Sequence, residues 1–240
     1  MFNNIRVEIS FKDFEQLKKK LDFCLNKNIY KLNIPCKGNI KKDFLVEVVK
    51  FIGVKYKHLD VIYHYSFYHQ FHKNNSLSYQ MFLEFLELNK LYNRGNEILL
   101  VSGSKKRDQF DVLSILENLK LDISKKFKFG IAFNPYSFND IDCKIERSRL
   151  IDKLNSYFVQ SIWLQSGSEI NQLSKEINFL NKTIVHSKQF TDEDIHIYGS
   201  LFIPSKQFLA RFKFRPWKGV YLSNKYLNSL EESEKITKNI

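Results

Sequence analysis

The chain has 240 residues and a mass of 28.7 kDa, and 43% of its residues are hydrophobic. This content is enough for a core of domain size, which excludes a disordered tail and a disulfide-stapled miniprotein. Lysine and arginine outnumber aspartate and glutamate by 38 to 26, a net charge of +12. The cations are spread along the whole chain without a long basic block, which argues against a nucleic-acid binder.

Neither a membrane span nor a disulfide framework is indicated. No apolar stretch approaches the roughly 20 residues that cross a bilayer, and the three cysteines contain no CxxC pair. We therefore expect a cytoplasmic protein with no membrane partner. The 8 glycines are too scattered for the GxGxxG and GxxxxGK[ST] loops that hold phosphates, so the common nucleotide-binding motifs are excluded.

Short apolar segments alternate along the chain with segments of helical spacing. Strands are predicted, in chain order, over 5–10, 30–35, 59–66, 97–103, 129–135, 160–165, 195–201 and, most weakly, 218–223. Helices are predicted between them over 13–26, 41–52, 78–93, 109–119, 145–157, 168–180 and 205–214, with Asp13 and Ser168 as helix N-caps.

Alternation of this kind is typical of parallel strands joined by helical crossovers, the α/β class. Eight such units in 240 residues predict a (β/α)8 TIM-type barrel, and a doubly wound open sheet is the alternative. We expect one domain over 1–240, in which 228–240 is a polar C-terminal helix or tail. In a barrel of this kind, function lies at the carboxyl ends of the strands.

Two predicted strands end in the same tripeptide, Ser102-Gly103-Ser104 and Ser166-Gly167-Ser168. Hydroxyl groups and exposed backbone amides at a strand end suit a phosphate or the polar edge of a cofactor. The alternative is an ordinary turn with an N-cap. Lys105, Lys106 and Arg107 follow the first tripeptide and add positive charge, which favours an anionic ligand there.

Other candidate residues lie in or beside the predicted strands. Glu8 lies within an apolar strand, where burial would raise the pKa of its carboxyl and make it a proton donor; a buried Arg6–Glu8 pair is the alternative. Gln165 ends a strand and can contact a heterocycle. His64, His69 and His72 lack the spacing of metal ligands, so we predict no metal site.

Several segments, taken in order, are similar to the methylenetetrahydrofolate reductase family. The resemblance is carried by Val7-Glu8-Ile9, by His64 at the end of the third strand, by Asn93-Arg94-Gly95-Asn96-Glu97-Ile98-Leu99-Leu100-Val101-Ser102-Gly103-Ser104, by Phe129-Gly130-Ile131-Ala132-Phe133-Asn134-Pro135, by Leu150-Ile151-Asp152-Lys153-Leu154, by Ile162-Trp163-Leu164-Gln165 and by Ile197-Tyr198-Gly199-Ser200-Leu201-Phe202-Ile203-Pro204-Ser205. It extends over about residues 5–222.

The resemblance implies a barrel enzyme in which NAD(P)H reduces FAD, and the flavin reduces 5,10-methylenetetrahydrofolate to 5-methyltetrahydrofolate. It assigns catalysis to Glu8, as the acid that protonates the folate, and to Gln165, which contacts the folate. Phe208 matches an aromatic residue that stacks on folate or nicotinamide. The cofactor positions that it assigns to FAD are His64, Ser102, Gly103, Ser104 and Lys153.

The chain also departs from the family pattern. The family has Arg-Gly-Asp-Pro at the end of its fourth strand, whereas this chain has Ser102-Gly103-Ser104-Lys105, so the aspartate beside the flavin is replaced by Ser104. The last strand is incomplete or atypical by the same comparison. A non-catalytic or flavin-independent barrel that binds folate or a partner therefore stays open as the alternative, and so does assembly as a homo-oligomer.

Overall fold

The computed structural model describes residues 5–36, 42–93, 95, 97–103, 110–119, 123, 126–136, 139–156, 158–187 and 195–240. The chain divides into two compact units, Met1–Gly130 and Ile131–Ile240. The single-domain expectation stays a prediction.

Strands and helices alternate through the described residues, close to the predicted positions. The strands are β1 (Val7–Glu8), β2 (Lys31–Ile34), β3 (Asp60–Ser66), β4 (Glu97–Val101), β5 (Lys128–Phe133), β6 (Val159–Leu164) and β7 (His196–Tyr198). The helices are α1 (Phe14–Asn26), α2 (Lys42–Lys55), α3 (Asn75–Tyr92), α4 (Val112–Asn118), α5 (Asp140–Leu154), α6 (Ile170–Ser187), α7 (Lys206–Phe214), α8 (Asn224–Asn228) and α9 (Leu230–Asn239).

The strands form a parallel sheet in sequential order from β1 to β7. In the first unit, Val7 is in register with Leu32, Leu32 with Val61, and Tyr63 with Ile98. This confirms the α/β class with parallel strands. The predicted eighth strand is not found among the described residues, where 218–223 makes a single parallel bridge from Tyr221 to Gly167. The described residues thus form seven strands, whereas eight were predicted.

The core of the first unit is built from strands that are apolar along most of their length, as expected for parallel strands covered by helices. Leu32, Ile34 and Leu100 are fully buried. The β3 residue Tyr65 packs its ring against Phe82 and Phe85 of α3, with both ring centroids at 4.9 Å. These aromatic contacts fix α3 against the sheet.

In the second unit, the helices after β7 have a cluster of their own. Leu209 and Phe212 of α7, Leu222, Tyr226 of α8 and Ile236 of α9 are buried together. The predicted polar C-terminal stretch is therefore a helix, α9, whose apolar positions complete this cluster.

One of the two predicted helix N-caps is observed. The Asp13 side chain accepts a hydrogen bond from Gln16 N and caps α1, which confirms that prediction. The Ser168 prediction is wrong, because α6 begins at Ile170 and the Ser168 hydroxyl bonds Ser223 instead. Within the described ranges, no helix has both the length and the apolar character needed to cross a bilayer.

Candidate functional site

The carboxyl end of β1 exposes Glu8 to solvent. The predicted burial of this carboxyl is therefore wrong, and so is the alternative of a buried Arg6–Glu8 pair. Arg6 instead turns to Asp60 at the start of β3, with Nη1–Oδ2 at 2.8 Å, and its Nε donates to Asn33 Oδ1 at 3.0 Å. An exposed carboxylate at a strand end can still meet a ligand, and the assigned acid role of Glu8 stays a prediction.

The ends of β2 and β3 hold a buried polar cluster. Gln70, in the turn after β3, donates through Nε2 to the Cys36 sulfur at 3.2 Å. Burial raises the pKa of the Cys36 thiol, and the contacts from Gln70 and the Ser66 backbone oppose that shift. Cys36 is therefore held as a neutral thiol at physiological pH, which favours a structural role over a nucleophilic one.

The first Ser-Gly-Ser turn follows β4. Gly103 has a φ of +95°, and a Cβ there would lie 2.4 Å from the Tyr68 Cβ, so only glycine fits. Ser102 Oγ accepts a hydrogen bond from Val112 N at 3.3 Å, which leaves its hydroxyl hydrogen for another acceptor. Gly103 itself is exposed. Ser104 and the cations 105–107 lie outside the described residues.

Two of the histidines considered as metal ligands lie in β3 and directly after it. His64 is half-buried in β3, in register with Leu99 of β4. His69 follows the strand, and burial lowers the pKa of its imidazole. The described part of the chain holds no group of three or more His, Cys, Asp or Glu side chains placed for a metal ion. The flavin contact assigned to His64 stays a prediction.

In the second unit, Gln165 follows β6 and is exposed. Its backbone N donates to Phe133 O at 2.8 Å, and its side-chain Oε1 accepts from Ser166 N at 2.9 Å. The two contacts fix the residue at the strand end, so Nε2 is the atom left to donate to a ligand. This geometry is compatible with the assigned folate contact.

The second Ser-Gly-Ser turn, 166–168, is closed by another part of the same unit. A Cβ on Gly167 would lie 2.4 Å from the Tyr136 ring, and all three turn residues are buried. Ser168 Oγ accepts from Ser223 N at 2.7 Å, and Ser168 N donates to Tyr221 O at 3.1 Å. The hydroxyl and amide of Ser168 are therefore bonded within the protein, and the buried turn does not offer them to a phosphate.

Two further residues that the resemblance assigns to ligands, Lys153 and Phe208, lie in the second unit. Lys153 is buried in α5, and its ammonium donates to Ala132 O of β5 at 3.1 Å. A phosphate at Lys153 would have to displace that contact. Phe208, half-buried on α7, has its ring 5.0 Å from Phe202 and 5.7 Å from Trp217. Its stacking role stays a prediction.

A buried ion pair between α5 and α6 was not anticipated. The Glu176 side chain is 2% exposed, and it accepts from Arg147 Nη2 at 2.6 Å and Nε at 2.8 Å. The Arg147 guanidinium also lies 4.6 Å above the Phe179 ring. The sequence signal was present, since Glu176 follows Leu173 by three positions and lies on the buried face of an amphipathic helix.

A polar cleft of about 350 Å³ lies beside this ion pair. Its lining residues are Asn139, Asp140, Cys143, Asn171, Gln172, Lys175 and Glu176. Cys143 Sγ lies 3.4 Å from Glu176 Oε1. The bidentate pair with Arg147 satisfies the buried carboxylate, which gives Glu176 a role in holding the two helices together.

Comparison with known proteins assigns no family to this chain. No protein-family model matches the chain, and no curated protein matches it. Among solved structures, it is similar to the catalytic domain of Thermobifida fusca endoglucanase Cel5A, with 11% identity and a TM-score of 0.42. The alignment covers 78% of this chain and 62% of the endoglucanase domain, so this chain spans less than two thirds of that neighbour.

Proposed function

We propose that this chain is a methylenetetrahydrofolate reductase-like oxidoreductase, in which NAD(P)H reduces 5,10-methylenetetrahydrofolate to 5-methyltetrahydrofolate. The observation that supports it most is the exposure of Glu8 and Gln165, each at the carboxyl end of a parallel strand. These are the two residues that the family resemblance assigns to the folate. Strand ends of this type are where parallel α/β enzymes place their chemistry.

The proposed reaction consumes one hydride and one proton for each folate. The bond between the methylene carbon and one folate nitrogen breaks, a new C–H bond forms at that carbon, and the released nitrogen takes the proton. Glu8 supplies the proton as a general acid. Gln165 donates from Nε2 to an acceptor on the pterin ring, which orients the substrate.

FAD is the cofactor that the resemblance implies, and when bound it would relay the hydride from nicotinamide to substrate. The turn after β4 is where we expect such a group to bind, because Gly103 is exposed there. Ser102 adds a hydroxyl donor at the same turn. Lys153 fits less well, since its ammonium is already bonded to Ala132 O.

Turnover tests the proposal directly. We expect the purified protein to oxidise NAD(P)H in the presence of 5,10-methylenetetrahydrofolate, and we expect Glu8→Gln to lower kcat by about 10²–10⁴-fold, as for loss of a general acid. Glu47→Gln, an exposed glutamate on α2, is the matched control and leaves kcat unchanged. An inactive wild type, or equal rates in Glu8→Gln and wild type, would refute the assignment.

The alternative is a flavin-independent or non-catalytic barrel that binds folate. The buried contact of Lys153 favours it, because the residue assigned to the FAD phosphates already has a partner. Calorimetric titration with a stable folate separates the two functions. Folate binding that weakens in Gln165→Ala, without NAD(P)H oxidation under any flavin supply, would establish the alternative.

A further inference from the structure

We propose that the segment around α7 forms a peripheral contact with an anionic lipid surface. The contact would be made by Ile203, Arg211, Lys213, Phe214, Arg215 and Trp217, which we call the basic–apolar surface. This inference is independent of the reductase proposal. It also revises the expectation of no membrane partner, since binding at the surface needs no spanning helix.

Apolar side chains are unusually exposed in this segment. Ile203 and Phe214 are each 92% exposed, and Trp217 is 47% exposed. Exposed leucines and isoleucines are ordinary one at a time. Here Leu201 is exposed as well, so four large apolar side chains stand in solvent within seventeen residues of one unit. A cluster of this kind is typical of an interaction site.

Ring contacts hold the two loops that flank α7 together. The Phe202 ring, next to Ile203, lies 5.0 Å from Phe208 of α7 and 5.5 Å from Trp217 in the following loop. Trp217 also lies 6.0 Å from Phe212. The exposed apolar side chains of both loops are therefore presented from one packed aromatic cluster and belong to one region of the surface.

The helix between those loops presents a mixed outer face. Leu209 and Phe212 bury one side of α7 in the core of the second unit. Phe214 lies on the opposite side by helical spacing, and Arg211 and Lys213 flank it. The apolar side chain is thus surrounded by cations, the arrangement by which interfacial helices place an apolar group among anionic lipid headgroups.

The charge of the segment is entirely positive. Residues 195–230 contain no aspartate or glutamate. The same stretch carries the cations Lys206, Arg211, Lys213, Arg215, Lys218 and Lys225. A second copy of the chain would bring the same charges against them, which disfavours self-association through this surface. An anionic lipid headgroup layer has the complementary charge.

The apolar residues distinguish a lipid surface from a nucleic acid. Single-stranded nucleic acids bind to aromatic side chains by stacking, and aliphatic side chains cannot take part in it. Leu201 and Ile203 are aliphatic and exposed beside the aromatic residues. The boundary between headgroups and acyl chains accepts aliphatic and aromatic side chains alike, with tryptophan enriched there.

Co-sedimentation with vesicles tests the proposal on the full chain. We expect binding to phosphatidylcholine vesicles that contain about 30% phosphatidylserine, and binding at least about tenfold weaker to pure phosphatidylcholine, because each cation near an anionic surface favours association by about fivefold. Binding should also fall at about 0.5 M salt, where surface charges are screened.

Variants locate the contact. Phe214→Ser should weaken vesicle binding by about tenfold or more, from loss of one inserted aromatic side chain. Lys213→Glu/Arg215→Glu should abolish the preference for anionic lipid. The matched controls are Phe23→Ser, an exposed phenylalanine of α1, and Lys50→Glu/Lys182→Glu, which gives the same net charge at two exposed lysines elsewhere. Both controls should bind as the wild type does.

Tryptophan fluorescence gives a second readout, which reports on the environment of one side chain of the proposed contact. The chain has 2 tryptophans, so Trp163→Phe leaves Trp217 as the reporter. Its emission should shift to the blue on addition of anionic vesicles. No vesicle binding, an unshifted Trp217, or equal weakening by the controls would overturn the proposal. Binding of a single-stranded oligonucleotide without vesicle binding, or a dimer lost in Phe214→Ser, would overturn it in favour of those partners.

Discussion

The same tripeptide ends strands in both units of this protein, and its two copies have different surroundings. After β4, Gly103 has a left-handed backbone and is exposed, and Ser102 Oγ accepts one hydrogen bond, from Val112 N. After β6, Ser166-Gly167-Ser168 is buried, and the segment 221–223 takes its polar groups. Contacts from distant parts of the chain therefore decide whether the polar groups of a Ser-Gly-Ser turn are accessible to a ligand.

The two glycines are required for different reasons. Gly103 is needed for its positive φ and for the close Tyr68 Cβ, which the turn backbone holds in place. Gly167 is needed only for space, because its neighbour is the ring of Tyr136. Substitutions at the two positions should therefore differ in size and in whether a second change can rescue them.

The largest effect is expected for Gly103→Ala. A left-handed residue with a Cβ costs about 1–2 kcal/mol, and the overlap with Tyr68 adds about 1–3 kcal/mol of overpacking. We expect the free energy of unfolding in urea to fall by about 3 kcal/mol in total. Gly199→Ala is the control, since a Cβ there meets nothing within 4 Å. Equal stability of the two variants would show that the turn after β4 is not constrained.

A smaller loss is expected for Gly167→Ala, about 2 kcal/mol, from overpacking against the Tyr136 ring alone. The double variant Gly167→Ala/Tyr136→Leu should recover part of that loss, because a smaller side chain removes the overlap. Urea unfolding of the four members of this cycle measures the coupling. Strict additivity would mean that the ring of Tyr136 does not limit the turn.

Removal of a serine hydroxyl should also destabilise the two turns to different extents. Ser168→Ala removes the acceptor of Ser223 N, a half-buried amide with a contact of 2.7 Å, and should cost about 1.5 kcal/mol. Ser102→Ala removes one long hydrogen bond at a half-exposed position and should cost about 0.5 kcal/mol. Thermal unfolding of both variants under one condition gives the comparison. A larger loss in Ser102→Ala would reverse the roles that we assign to the two turns.

The smallest effect is expected at alkaline pH. Burial, with a contribution from Glu169, raises the pKa of Tyr136 to about 12. The folded state favours the neutral phenol, so this stabilisation is complete below the unfolded pKa, about 10, and is lost as pH rises towards 12. The free energy of unfolding of Tyr136→Phe minus that of the wild type should therefore be about 1 kcal/mol larger at pH 11 than at pH 8. An unchanged difference would place the Tyr136 phenol in solvent.

The succession of elements could be predicted from the sequence because local patterns determine it. Seven strands lie within the predicted ranges or within a residue of them, since each is an apolar segment bounded by turn residues. The prediction of an eighth strand over 218–223 was wrong. This segment has residues typical of a strand, but only Tyr221 pairs, in a single bridge to Gly167, because pairing depends on tertiary contacts that local sequence does not determine.

The candidate site was less predictable than the fold. Glu8 was placed in the correct strand, but its exposure depends on how neighbouring strands cover β1, which alternation alone does not determine. The bond from the Lys153 ammonium to Ala132 O, twenty-one residues earlier in the chain, was not predicted, and the assigned phosphate contact of Lys153 stays a prediction. Each outcome depends on a partner that is distant in sequence.

Titration with FAD, followed by flavin fluorescence, is the most direct test of the proposed cofactor site, because it examines Ser102 and the exposed Gly103 after β4. We predict that the wild type quenches and binds FAD, that Ser102→Ala weakens binding by about tenfold through loss of one hydroxyl donor, and that Ser168→Ala binds as the wild type does. A protein that leaves FAD fluorescence unchanged at every concentration, or that loses binding only in Ser168→Ala, would contradict the account.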